Sequence, residues 1–384
     1  MNQVLVSSGV IFGVHGLGNL SYHIAKGLYE HNMLEKVFAW DYKKTDLPDN
    51  KIKRIVPMGY YLEKVLGGFR NRIYKDFPQY LLQCEFFDIM CSYYTNSTKA
   101  NIVYGGGGTT LRTMKRLKKK GIKFVFPGFS THPNDHFRLQ IEEAKRWNVK
   151  LSLNLRSDFL IKKIKEEIKN SDYIIAASEL VKDSMVHNGV PKQNISVIPF
   201  GVDTKKFNPG NKKGGKFRVL FAGSICLRKG VPYLLEAWDS LNLKNAELIL
   251  SGGIHSEMRE ILKKYKNNNT IQIIEKTNIE RLYKTADIFV FPSIEEGSAL
   301  VTYESMASGL PIVTTMNSGS VAKDKKDGFI IPARNIEKIK EKILYFYDNP
   351  KMVKKMGKNA RNHMVKEYTW DHFEERTAEF FSRI

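Results

Sequence analysis

Two cations and two carboxylates stand where a chain could assemble a site. Arg228 and Lys229 lie in Phe221-Ala-Gly-Ser-Ile-Cys-Leu-Arg-Lys-Gly230, where a strand-like run ends at Gly223 and Arg228-Lys229-Gly230 opens a helix. Free backbone N–H groups at a helix start, next to two cations, suit a diphosphate. The alternative is a surface loop with two solvated cations. No Walker pattern, G-x-x-x-x-G-K-[ST], occurs in the chain. Glu296 and Glu304 lie in Glu295-Glu-Gly-Ser-Ala-Leu-Val-Thr-Tyr-Glu-Ser305. The apolar run Ala286–Ser293 before them reads as a strand of a covered sheet, and Ala299–Ser308 carries apolar residues at about helical spacing. Glu296 is therefore expected in a loop at the carboxyl end of a strand, and Glu304 in the next helix. Ligands bind at that edge of an open α/β sheet. Two solvated surface glutamates are the bland alternative.

Other candidates come from the first half. Gly13-Val-His-Gly-Leu-Gly18 joins a strand to a helix and could cradle a phosphate or form the turn of a nicotinamide-type fold, although its spacing is not G-x-G-x-x-G. Gly105-Gly-Gly-Gly108 suits close approach of the backbone to a ligand, or a tight strand exit. In Phe129-Ser-Thr-His-Pro-Asn-Asp-His136, His132 and His136 are four apart with Asp135 between them, a weak metal pattern. A neutral imidazole at His132 reaching a substrate hydroxyl is the stronger reading, and a purely structural histidine is the alternative. No Asp-x-Asp pair is found.

These residues need a scaffold. At 384 residues the chain exceeds the size at which a single core stops growing. Strand-like and helix-like segments alternate twice, on either side of Phe207-Asn-Pro-Gly-Asn-Lys-Lys-Gly-Gly-Lys216, which has linker composition. The fold class is α/β, with two doubly wound parallel sheets. The expected division is an N-terminal domain over 1–204, a linker over 205–216, a C-terminal domain over 217–365, and a last helix over 366–384 crossing back to the first domain. No apolar run approaches the ~20 residues needed to cross a bilayer. The start of the chain shows no secretion signal, and three cysteines without a CxxC pair suit a reducing compartment. Net charge is +21, and residues 51–150 hold 19 Lys and Arg against 7 Asp and Glu. Such a face could serve nucleic acid, an anionic membrane or a phosphorylated substrate, or be a solvated surface. No nucleic-acid-binding motif accompanies it.

Several motifs in order carry a resemblance. They are Ala177-Ser-Glu-Leu-Val-Lys-Asp183, Ile198-Pro-Phe-Gly-Val-Asp203, Gly223–Gly230, Glu296–Glu304 followed by Ala307-Ser-Gly-Leu-Pro311, Asp327-Gly-Phe-Ile-Ile-Pro332 and Tyr368-Thr-Trp370. Together the chain resembles the retaining glycosyltransferases of family 4, which have the GT-B architecture of two Rossmann-like domains facing a cleft. The resemblance implies a metal-independent transferase with no cofactor, which moves a sugar from a nucleotide diphosphate-sugar donor to a glycan, lipid-linked or small-molecule acceptor. Glu304 would accept from the ribose hydroxyls, Glu296 would touch the donor sugar, and Lys229 with Arg228 would neutralise the diphosphate. Gly223, Gly297, Ser298, Ala299, Leu300 and Val301 would line the donor, and Gly16 and Gly18 would face its phosphates from the other domain. His132 would contact the donor sugar. The expected location is cytoplasmic, peripheral at a membrane's inner face. Departures include Ser224 beside Gly223, Ser298-Ala299 in place of Phe-Gly, and His15 for the first Gly of the N-terminal pair. The alternatives are another GT-B sugar-nucleotide enzyme, such as an epimerase or phosphorylase, or a non-catalytic nucleotide-sugar binder.

Overall fold

The computed structural model describes residues 2–12, 17–42, 45–55, 79–151, 158–210, 214–275 and 277–384. Gly13–Gly16, and residues 56–78 of the basic 51–150 region, lie outside these residues. Seven strands form the first sheet: β1 Val4–Phe12, β2 Leu34–Tyr42, β3 Ile52–Arg54, β4 Ile102–Tyr104, β5 Lys123–Gly128, β6 Tyr173–Ala176 and β7 Ile195–Val197. Their order is β3-β2-β1-β4-β5-β6-β7, and every pairing is parallel. Six more form the second: β8 Phe217–Ala222, β9 Ala246–Ser251, β10 Ile271–Ile274, β11 Ile288–Phe291, β12 Ile312–Thr315 and β13 Gly328–Ile331, in the order β10-β9-β8-β11-β12-β13. Strands such as Ile288–Phe291 and Ile312–Thr315 are buried along their whole length, because helices cover both faces of a parallel sheet. Each sheet reverses strand order once, between β1 and β4 and between β8 and β11. In open α/β sheets such reversals are where ligands bind, at the carboxyl ends of the strands.

The chain crosses between the lobes twice. Arg361 secures the first crossing: its Nη1 donates to the carbonyls of Thr204 (3.0 Å), Phe207 (2.7 Å) and Ala307 (2.7 Å). After helix Pro350–Glu367 the chain returns, and helix Trp370–Arg383 packs on helix Leu17–Glu30 of the first lobe. Thr369 caps this last helix through a reciprocal bond with His372. Glu374, buried, meets His23 Nδ1 at 2.6 Å and Lys26 Nζ at 2.9 Å, and Trp370 stacks on His23 with ring centroids 4.0 Å apart. Gly27 permits this approach, since a Cβ there would lie 2.6 Å from the Glu374 carbonyl oxygen.

Gly27→Ala sets two effects against each other. Alanine improves the helix by about 0.5–1 kcal/mol, whereas overpacking costs about 1–3 kcal/mol. Backbone cannot rotate out of the way as a side chain can, so net destabilisation of about 1–2 kcal/mol is expected; urea unfolding measures it, and a stabilised variant would contradict this packing.

Candidate functional site

The strands that flank the reversal in the second sheet, β8 and β11, aim their exits at one point. After β8, Gly223 takes φ 124°, and a Cβ on it would lie 2.9 Å from Lys229 Nζ, so the amine is packed against a bare backbone. Leu227–Lys229 forms a single tight turn, and Gly230 follows at φ 71°. A Cβ on Gly230 would be 2.0 Å from the carbonyl oxygen of Pro292, which clamps this turn to the loop after β11. Sequence reasoning had Arg228 open a helix. Instead the helix begins at Val231, because Gly230 is left-handed and Pro232 suits a first turn.

The charges are tightly interlocked. Arg228 Nη1 lies 2.9 Å from Glu296 Oε1 and 3.4 Å from Glu295 Oε2, and donates to the Glu295 carbonyl at 2.7 Å. Lys229 Nζ lies 3.2 Å from Glu296 Oε1 and 5.3 Å from the centre of the Phe291 ring. Glu296 Oε1 is buried and within ion-pair distance of both cations, yet no N–H points at it with hydrogen-bond geometry. Burial works against the charge on Arg228, but Glu296 and Glu295 outweigh it and hold the guanidinium more firmly protonated than usual.

Glu295, 1% exposed, reaches across to the first lobe. Thr131 donates to its Oε1 at 2.6 Å, and His136 Nδ1, on helix Pro133–Arg146, lies 2.9 Å from its Oε2. Burial acts to raise the Glu295 pKa, and His136, Arg228 and Thr131 overcome it, bringing it down to about 2. Beside it, Gly297 lets the two backbones touch: a Cβ there would stand 1.8 Å from the Phe129 carbonyl oxygen. Ser178 donates to the Gly297 carbonyl. A second bridge joins the lobes through Glu143, fully buried on helix Pro133–Arg146, which accepts from Arg334 Nε (2.6 Å) and Tyr233 Oη (2.8 Å). Isolated charges would be costly in such a seam, and here each has a partner.

The remaining predicted residues fall as follows. Glu304 lies in helix Leu300–Ala307 and accepts from Tyr283 Oη at 3.1 Å; burial raises its pKa. Ser298 Oγ lies 2.8 Å from Tyr303 Oη and donates to the Gly319 carbonyl, the Ala299 N–H bonds the Ser318 carbonyl, and the Val301 carbonyl faces Tyr283 Oη at 3.4 Å. Leu300 is the first residue of the helix. Gly18 sits in the first turn of helix Leu17–Glu30, and Gly16 is outside the described residues. His132 is the N-cap of helix Pro133–Arg146, its Nδ1 accepting from the Asn134 N–H at 3.3 Å. Burial first, then Lys165, lowers its pKa. Sequence reasoning missed Glu295 and His136 as the pair that joins the lobes. The doublet Glu295-Glu296 and the one-turn spacing of His132 and His136 were the available signals. Among the described residues no cluster of three metal-ligating side chains exists, and no helix is long and apolar enough to cross a membrane.

Two family models match the chain: Glycosyltransferase Family 4 over residues 98–206 and Glycosyl transferases group 1 over residues 202–363. An Escherichia coli UDP-Gal:alpha-D-GlcNAc-diphosphoundecaprenol alpha-1,3-galactosyltransferase is 29% identical over 58% of this chain and 62% of its own length. A Staphylococcus aureus capsular polysaccharide biosynthesis glycosyltransferase is 25% identical over 52% of this chain and 60% of its own. The chain thus spans about three-fifths of the curated relatives it matches. Among solved structures, sucrose-phosphate synthase from Thermosynechococcus elongatus superposes with a TM-score of 0.71 at 17% identity, covering 100% of this chain and 99% of that one. The Anabaena protein HepE in complex with UDP gives 0.66 at 13% identity, covering 100% of both. At these identities the two structures establish the fold.

The low pKa of Glu295 makes stability depend on pH in a definite sense. Its pKa is about 2 folded against 4.5 ordinarily, so its contribution is present above pH 4.5 and fades as pH falls toward 2. Glu295→Gln should cost about 1–3 kcal/mol at pH 6, and the gap to wild type should narrow at pH 3. Urea unfolding at both pH values checks this, and a gap that widens in acid would refute the pairing.

Proposed function

Since this chain belongs to the family 4, group 1 glycosyl transferases and has their GT-B fold, we propose that it moves a sugar from a nucleoside diphosphate-sugar to an acceptor hydroxyl with retention of configuration. The observation that carries this reading is the convergence of Gly223, Arg228, Lys229 and Glu296 where β8 and β11 part, facing the other lobe. In the reaction the bond from anomeric carbon to phosphate oxygen breaks and its electron pair leaves with the diphosphate, while the acceptor oxygen bonds the anomeric carbon and its proton passes to the departing phosphate oxygen. Lys229 and Arg228 stabilise that growing charge in a site shielded from water, where fixed cations act most strongly. In the free protein they face Glu296 instead. A bound diphosphate takes over the cations and releases the Glu296 carboxylate to accept from sugar hydroxyls. Glu304, one helix away, accepts from the ribose. His132 contacts the donor sugar as a neutral imidazole, which its lowered pKa favours. No metal or cofactor takes part.

The acceptor, a glycan, lipid-linked or small molecule, binds on the N-terminal side. That domain carries Lys115, Arg116 and Lys118 on helix Leu111–Lys118, cations that suit an anionic lipid surface and support a peripheral position at a membrane's cytoplasmic face. Co-sedimentation with phosphatidylglycerol vesicles at low salt, and its loss at about 0.5 M salt, is the expected result; salt-insensitive binding or none would reject it.

Thermal-shift screening with UDP, GDP and ADP should give a stabilising nucleotide, and the matching nucleotide sugars then supply a release assay. Lys229→Ala is expected to lower kcat about 10²–10³-fold, the scale of one lost transition-state contact. Glu304→Ala should raise the donor KM about tenfold, chiefly through ribose binding. His132→Ala should lower turnover while the protein stays folded, and His132→Asn, which keeps an N-cap acceptor, separates capping from chemistry. Unchanged turnover in all three alanine variants would reject this site.

A further inference from the structure

The N-terminal lobe holds a cavity of about 250 Å³ against β1 and above the ends of β4 and β5, many times the ~10–15 Å³ that one water requires. Its walls set the rings of Phe126, Phe129 and Phe137 among the hydroxyls of Ser8, Tyr104 and Thr109. Thr109 Oγ1 is used, donating to the Gly106 carbonyl at 2.8 Å. Ser8 Oγ and Tyr104 Oη are not: both are buried, with their residues 2% and 1% exposed, and neither has a hydrogen-bond partner. A buried polar group left unpaired costs about 1–3 kcal/mol. Two in one cavity call for a ligand that answers them.

The cavity is also well placed. Thr131 and His136 line it, and the same two side chains bond Glu295, which in turn meets Arg228. A molecule seated in it would therefore approach the seam beside the cation cluster. The glycine loop on its wall is fixed by Glu167, which accepts from the N–H groups of Gly108 (2.7 Å) and Thr110 (2.8 Å). Among the described residues lining it, only His136 can carry a charge.

We propose that this cavity is an acceptor subsite for an uncharged, hydroxyl-bearing ring of the sugar type, with Ser8 and Tyr104 as the residues that select it. The inference rests on the transferase reading above. Hydroxyls both donate and accept, as sugar hydroxyls do, and aromatic faces pack against the C–H face of such a ring.

The test uses full-length protein saturated with whichever of UDP, GDP or ADP stabilises it most. Methyl glycosides of glucose, galactose and N-acetylglucosamine, and glucose 6-phosphate as the charged counterpart, are titrated by saturation-transfer NMR. At least one methyl glycoside should bind, and more tightly than the phosphate. Ser8→Ala and Tyr104→Phe should each weaken it about 2- to 10-fold, the worth of one neutral hydrogen bond, with nucleotide affinity unchanged. Both variants should melt no lower than wild type in the absence of sugar, because each removes an unpaired group; a clear loss of stability would show that the hydroxyl was already bonded and overturn the proposal. So would binding of no glycoside, glycoside binding indifferent to both substitutions, tighter binding of the phosphate, or variants that weaken the nucleotide instead. If no nucleotide binds but a glycoside does and is weakened by the variants, the transfer reading falls and the acceptor role falls with it, leaving Ser8 and Tyr104 as the selectors of a sugar-binding cavity.

Discussion

Four charged side chains meet in a seam that is largely closed to water, and their mutual neutralisation governs how the two lobes face each other. Arg228 and Lys229 come from the loop after β8, and Glu295 and Glu296 from the loop after β11. Left alone, any of them would suffer a desolvation cost of several kcal/mol. Glu295 is decisive because it is shared: one oxygen faces Thr131, and the other faces both His136 on the opposite lobe and Arg228 on its own. A carboxylate can accept several bonds at once, so one residue orients a cation and fixes the lobes together.

The backbone is shaped to allow this. Gly297 and Gly230 sit where a single methyl group would strike a carbonyl of a neighbouring segment, and Gly319 likewise faces the Gly297 carbonyl. The seam is thus set by main-chain contact, which has little play, while charged side chains fill what remains. Away from the cleft, Arg361 ties three carbonyls together at the crossing segment, and Glu143 forms a second bridge through Arg334 and Tyr233.

Much of this was legible from residues alone. The alternation of strands and helices, interrupted by the 207–216 stretch, gave two doubly wound sheets, because buried parallel strands such as Ile288-Phe-Val-Phe291 read as unbroken apolar runs. Glu296 lies in a strand-exit loop and Glu304 in the following helix, since Gly297 and the apolar spacing after it mark that boundary. The helix start at Val231 was misplaced by three residues, because the left-handed turn at Gly230 cannot be told from a helix opening by composition. Glu295 and His136 were invisible as a pair, since they lie far apart in the chain and come together only in the folded protein. The unpaired hydroxyls of Ser8 and Tyr104 were equally hidden: satisfaction of a buried group is a property of the packed interior.

The return of helix Trp370–Arg383 to helix Leu17–Glu30 has a consequence for how the molecule is made. A ribosome releases the first lobe long before this helix exists, and Gly27, His23 and Lys26 wait on a face meant for Glu374. The lobe begun first is completed last, after the other has folded in between. During that interval an unfinished helical surface stays open to solvent and to chaperones, and the second lobe matures ahead of its partner.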